Sequence, residues 1–93
     1  METIRQEINE KGGSFDYEVE GKKLASMVYV RAGKQLIIDH TEVDESLRGK
    51  GIGKKLQATL VDYVRANHLK VIPLCPFAKA TFERMKEWQD VLA

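Results

Sequence analysis

Ninety-three residues suffice for one hydrophobic core and are too few for two, so a single domain over residues 1–93 is expected. Fifteen basic and 14 acidic side chains nearly cancel, which argues against a nucleic-acid partner and makes any working charge local. One cysteine excludes an internal disulfide, and no apolar run approaches the roughly 18 residues of a membrane span, so a cytoplasmic protein without a membrane partner is expected.

In chain order, Ile4 to Ile8 alternates weakly and stops at Lys11-Gly12-Gly13, the pattern of an edge strand. Phe15, Tyr17 and Val19 then alternate with Ser14, Asp16, Glu18 and Glu20, as in a half-buried strand, before a turn at Gly21-Lys22-Lys23. Leu24 to Arg31 is rich in strand formers and closes at Ala32-Gly33-Lys34. Gln35 to Val43 carries Leu36-Ile37-Ile38 consecutively, which suits a central strand covered on both faces.

The period then changes. Ile52, Leu56, Leu60, Tyr63 and Val64 form one helical stripe that fades near Asn67-His68. Leu69 to Leu74 is long enough for one strand, and Pro73 loosens its pairing towards the end. Pro76 suits a helix's first turn, and Ala78, Thr81, Phe82, Met85 and Trp88 continue as one amphipathic helix to the C-terminus. The order is β-β-β-β-α-β-α. The crossover from Gln35 to Leu74 implies a parallel pair, and the earlier hairpins imply antiparallel ones. The fold class is α+β with a mixed sheet.

Arg48-Gly49-Lys50-Gly51-Ile52-Gly53-Lys54 joins a strand to a helix. A helix N-terminus has unpaired N–H groups and partial positive charge, so it attracts phosphate oxygens, and glycines let the backbone approach them. Two nucleotide motifs fail on spacing. A P-loop needs Ser or Thr where Lys55 stands and glycine where Arg48 stands. A Rossmann fingerprint needs a third glycine where Lys54 or Leu56 stands, depending on the starting glycine. A basic loop with glycines serving only a sharp turn is the plainer alternative.

The segment Arg48-Gly49-Lys50-Gly51-Ile52-Gly53 resembles the R/Q-x-x-G-x-G/A motif of the GNAT superfamily of N-acetyltransferases. The strand His40-Thr41-Glu42-Val43 and the segment Leu74-Cys75-Pro76-Phe77 resemble a very small GNAT-like subfamily of about this length. The resemblance covers the second half of the chain strongly and the first half through strand order. It implies acetyl-coenzyme A as co-substrate and an amine acceptor. The pyrophosphate would be held by Arg48, Gly49, Lys50, Gly51, Ile52, Gly53 and Lys54. The strand end with Thr41 and Val43 would offer main-chain groups to the pantetheine and the acetyl carbonyl, and Phe77 and Phe82 would also be cofactor-binding residues. The helices that usually shape the acceptor pocket between the first two strands are missing. An open acceptor side suits a peptide, a protein surface or a polyamine. Members often carry N-x-x-A-x-x-x-Y with tyrosine as general acid, and here Cys75 and Phe82 stand in those two places.

Three residues are therefore candidates for catalysis. Cys75 sits before a helix N-terminus, where the dipole favours a thiolate; it could take the acetyl group or protonate the departing sulfur, or it could be a small buried residue. His40 could deprotonate the amine or Cys75, or serve as a hydrogen-bonded structural residue. Glu42 shares the face of His40 and is a second base candidate, or a solvated carboxylate. No pair of residues has metal-ligand spacing, so no metal is expected. The competing functions are a non-catalytic acyl-coenzyme A-binding module and a nucleic-acid-binding surface built from Arg48, Lys50, Lys54, Lys55 and Lys70.

Overall fold

The computed structural model describes residues 2–93. Four strands come first: β1 (Glu2–Ile8), β2 (Gly12–Val19), β3 (Lys22–Ala32) and β4 (Gln35–Val43). A short 3-10 helix, Glu45–Leu47, leads to α1 (Ile52–Ala66), β5 (Lys70–Pro73), α2 (Pro76–Arg84) and a second 3-10 segment, Lys86–Val91. The five strands form one sheet in sequence order, antiparallel from β1 to β4 and parallel between β4 and β5. The expected mixed sheet and element order are therefore present. No helix separates β1 from β2.

Cross-strand partners share a face of the sheet. Phe15 pairs with Met27, and Tyr17 with Ala25; all four are buried. The ring of Phe15 meets that of Tyr63 at 6.0 Å, which places α1 on this face. Leu56, Leu60 and Val64 bring the apolar stripe of α1 down onto it and are essentially unexposed. The reverse face carries the rows Arg5–Asp16–Ser26–Glu42 and Gly12–Val30–Ile37–Ile72. Ile37 is half-buried there, so β4 is less fully covered than its apolar run suggests. Asp16 is the buried charge on this face, tied by the hydroxyls of Ser26 at 2.6 Å and Ser14 at 3.3 Å, with Lys23 at 3.9 Å.

Three local boundaries differ from expectation. Gly12 and Gly13 open β2 instead of forming the turn, and glycine is required there because a Cβ would fall on the carbonyl oxygens of Tyr29 and Glu7 respectively. The β2–β3 turn is Glu20-Gly21, both at positive φ, which leaves Lys22 and Lys23 inside β3. The C-terminal helix is not continuous. It ends at Arg84 and Met85 turns the chain, with Gln89 Nε2 donating to the freed Phe82 carbonyl at 2.7 Å. The break brings Trp88 against Phe82 at 5.3 Å between ring centroids and Asp90 onto the guanidinium of Arg65 at 2.7 Å. Among the described residues, no helix is long and apolar enough to cross a membrane.

Candidate active site

The site begins where β5 leaves β4. The parallel ladder pairs Gln35 to Ile38 with Lys70 to Pro73 and then stops. Pro73 has no N–H to continue it, and the amides of Leu74 and Cys75 both converge on the Ile38 carbonyl at 3.2 Å. The last residues of β4, His40 to Val43, therefore keep β3 as a partner and have none in β5. A wedge opens beside them.

A bulge decides which side chains enter that wedge. His40 pairs with Val28 while Ile38 pairs with Tyr29, so Asp39 is an extra residue in β4. Leu36 and Ile38 face α1. Beyond the bulge Thr41 and Val43 share that face, since their partners Met27 and Ala25 belong to the core. His40 and Glu42 point to the reverse face. Thr41 Oγ1 lies 3.9 Å from the sulfur of Cys75, which is buried and precedes Pro76, the first residue of α2. The imidazole of His40 is half exposed, with Nδ1 3.4 Å from Asp39. The structure thus joins Cys75 to Thr41, and His40 to Glu42, on opposite sides of the sheet.

The loop after β4 folds on local hydrogen bonds. Asp44 caps the short 3-10 helix by accepting from the Ser46 amide at 3.0 Å, and the Ser46 hydroxyl and amide hold its carboxyl below the usual carboxylate range. Gly49 and Gly51 then take left-handed φ of 79° and 72° to swing the chain into α1. The first bond within α1 runs from the Lys55 amide to the Gly51 carbonyl at 3.1 Å, so the amides of Ile52, Gly53 and Lys54 precede the ladder. Gly51 is the N-cap and has no side chain to occupy those donors. Among the described residues, Arg48, Lys50 and Lys54 are exposed and make no ion pair, whereas Lys55 reaches Glu2 at 3.6 Å.

A groove of about 310 Å³ connects these parts. Thr41 and Val43 form one wall, Arg48 and Gly49 the loop, Gly51, Ile52 and Gly53 the helix end, and Phe77 the opposite wall. Leu47 also lines it, and sequence reasoning missed it; an apolar residue directly before the basic glycine turn was the available signal. Lys50, Lys54 and Phe82 are not among the lining residues. Phe82 is 1% exposed and packs on Trp88, while Phe77 is 46% exposed in the groove. A second cavity of about 270 Å³ lies across the ends of β3 and β4, with Glu42, Ser26 and Asp44 in its wall. Among the described residues, no three His, Cys, Asp or Glu side chains converge as a metal site.

Residues 14–91 match the family described as GCN5-related N-acetyl-transferase. Protein NATD1 of Xenopus tropicalis is 33% identical over 75 residues, covering 78% of this chain and 69% of that protein. A GCN5-like protein of Staphylococcus aureus superposes with a TM-score of 0.73 at 34% identity, over all of this chain and 91% of its own. A ribosomal-protein-alanine N-acetyltransferase of Brucella melitensis shares the fold, with a TM-score of 0.73 at 19% identity, over 83% of this chain and 62% of its own.

Proposed function

The chain belongs to the GCN5-related N-acetyltransferase family, and from that premise we propose that it binds acetyl-coenzyme A in the groove between β4 and α1 and moves the acetyl group to an amine. The observation that carries this reading is the coincidence of three features in one groove. Free amides stand at the N-terminus of α1, left-handed glycines leave that end open, and the β4 end has no β5 partner. A pyrophosphate fits the first two, because unpaired N–H groups and the helix dipole favour anions, and Arg48, Lys50 and Lys54 add cationic donors nearby. An extended amide-bearing arm fits the third, since strand groups there can form one further ladder edge. Val43, Leu47 and Phe77 supply its apolar walls.

Cys75 does not line this groove but lies behind its Thr41 wall, with its sulfur 3.9 Å from the Thr41 hydroxyl. Its thiol is assigned one of two roles. It attacks the thioester carbonyl, the leaving coenzyme A sulfur takes the thiol proton, and the acetyl group stays on Cys75 until the amine displaces it and returns a proton to the Cys75 sulfur; or it only passes its proton to the coenzyme A sulfur as the amine displaces it. His40 and Glu42 face the open side of the sheet and are proposed to take the proton of an incoming amine there. With no helix between β1 and β2, that side is broad, so a peptide or protein amine is the expected acceptor, with a polyamine as the smaller option. The separation of His40 from Cys75 by the sheet, and the burial of Phe82, favour one competing reading, an acyl-coenzyme A-binding module without turnover.

Incubation with acetyl-coenzyme A and a panel of lysine- and N-terminus-bearing peptides, read by intact mass, tests the proposal. Transfer adds about 42 Da to an acceptor and is lost in Cys75→Ala or His40→Ala. Tight coenzyme binding with no mass gain on any amine or on Cys75 would establish the passive module instead.

A further inference from the structure

The outer edge of β1 has a feature that the groove does not explain. β1 is the terminal strand of the sheet, seven residues long, and its far side has no partner among the described residues. The other end of the sheet is different, because the C-terminal residues bridge β5 through Val71 and Leu92, with the Ala93 amide on the Val71 carbonyl at 3.0 Å. Long open edges invite pairing with another chain. Ile8, at the end of β1, is 68% exposed.

The register of any such pairing is constrained. Asn9 and Gly12 exchange two main-chain hydrogen bonds, of 3.0 and 3.4 Å, at the β1–β2 turn. Antiparallel pairs alternate between bonded and non-bonded, so Glu7 and Arg5 direct their main-chain groups towards β2. Ile4, Gln6 and Ile8 therefore present theirs outward. A two-fold antiparallel match of two β1 strands must set these outward residues against one another. Centring it on Arg5 puts Arg5 against Arg5, and centring it on Glu7 puts Glu7 against Glu7. Centring it on Ile4 overlaps only the first half of the strand and leaves Ile8 unpaired. Centring it on Gln6 sets Arg5 opposite Glu7 twice and Ile4 opposite Ile8 twice. The charge pair falls on the reverse face of the sheet and the apolar pair on the face of α1, because Arg5 is the partner of Asp16 and Ile4 the partner of Tyr17.

We propose that β1 is a homodimerisation edge, joining two copies antiparallel about Gln6 into one continuous ten-stranded sheet. The occupant is a second copy because the strand is complementary to itself in charge and in apolar positions in this one register. The pairing covers Ile8. At the ends Glu2 meets Glu10 of the second copy, which lies beyond that copy's β1; Glu10 is exposed, and the Glu2 carboxylate is held by the Tyr17 hydroxyl and by Lys55. A strand-to-strand contact is small by the standard of stable dimers, so association is concentration-dependent.

Sedimentation velocity across a concentration series up to about 1 mM tests this. Wild type should shift from monomer to dimer. Arg5→Glu and Glu7→Arg each create two like-charged pairs and should raise the dimer dissociation constant about tenfold or more. Mixing the two single variants restores opposite charges at both positions, as does combining them in one chain, and both should recover the dimer. Circular dichroism on each variant shows that the sheet is retained, and Gln6→Pro, which removes an outward N–H together with the Gln6 Nε2 bond to the Tyr29 hydroxyl, provides an independent block when its sheet is intact. Wild type that stays monomeric throughout, or single variants that dimerise as well as wild type, would overturn the proposal. So would failure of the mixture to associate.

Discussion

Gln57 sits on α1 with no exposed surface, and neither its Nε2 nor its Oε1 has a hydrogen-bond partner in the protein. A buried polar group left unpaired costs about 1–3 kcal/mol. Methionine has a similar length and shape, no hydrogen-bonding demand, and the flexibility to fit the same space. Gln57→Met should therefore stabilise the fold by about 1 kcal/mol or more after some loss to imperfect packing. In a domain of this size 1 kcal/mol moves the melting midpoint by roughly 4–8 °C. Thermal and urea unfolding followed by circular dichroism would measure both quantities. A lower midpoint, or a loss of stability above about 1 kcal/mol, would refute the reasoning, because it would mean that the amide is satisfied by a group it needs.

Other substitutions probe the groove and the C-terminal segment. A Cβ at Gly53 would lie 2.5 and 2.6 Å from two ring carbons of Phe77, so Gly53→Ala should expel the ring and weaken coenzyme binding. Adding Phe77→Ala should remove the clash without restoring full affinity, as titration of both variants would show. Phe82→Ala should cost about 3–5 kcal/mol, because the ring is fully buried against Trp88, and denaturant unfolding measures this directly. The guanidinium of Arg65 holds the Asp90 carboxyl below its usual range. A folded-state pKa below the unfolded value of about 3.9 means that this pair stabilises at higher pH and loses its contribution as pH falls through the folded pKa. Arg65→Ala should therefore flatten the acid limb of the melting midpoint between about pH 5 and pH 3.

Strand and helix periods carried most of the fold in the sequence, because each element buries one face. Phe15 and Tyr17 alternate for the face under α1, and Leu56, Leu60 and Val64 recur at helical spacing to meet it. The glycine turn was legible for the same local reason, since Gly49 and Gly51 stand where the backbone must take positive φ. What could not be read depends on distant contacts. Trp88 fits the helical stripe of Phe82, yet the Gln89–Phe82 bond and the Arg65–Asp90 pair draw the chain out of the helix after Arg84. The bulge at Asp39 has no marker such as Gly or Pro, and it alone sends His40 away from the face that holds Ile38 and Thr41. Phe77 and Phe82 are five residues apart, about 140° round α2, so they cannot share a face; only packing shows that the first faces the groove and the second the core.

In the proposed function the open end of α1 holds the pyrophosphate of acetyl-coenzyme A. Isothermal titration calorimetry with acetyl-coenzyme A, on wild type and on Gly51→Glu, tests it most directly. Gly51 has φ of 72° and caps the helix without a side chain, so glutamate there would strain the turn and add negative charge beside the unpaired amides. Wild type should show saturable one-to-one binding, and the folded variant should lose at least about tenfold in affinity. No heat of binding by wild type, or equal affinity in the two proteins, would contradict it.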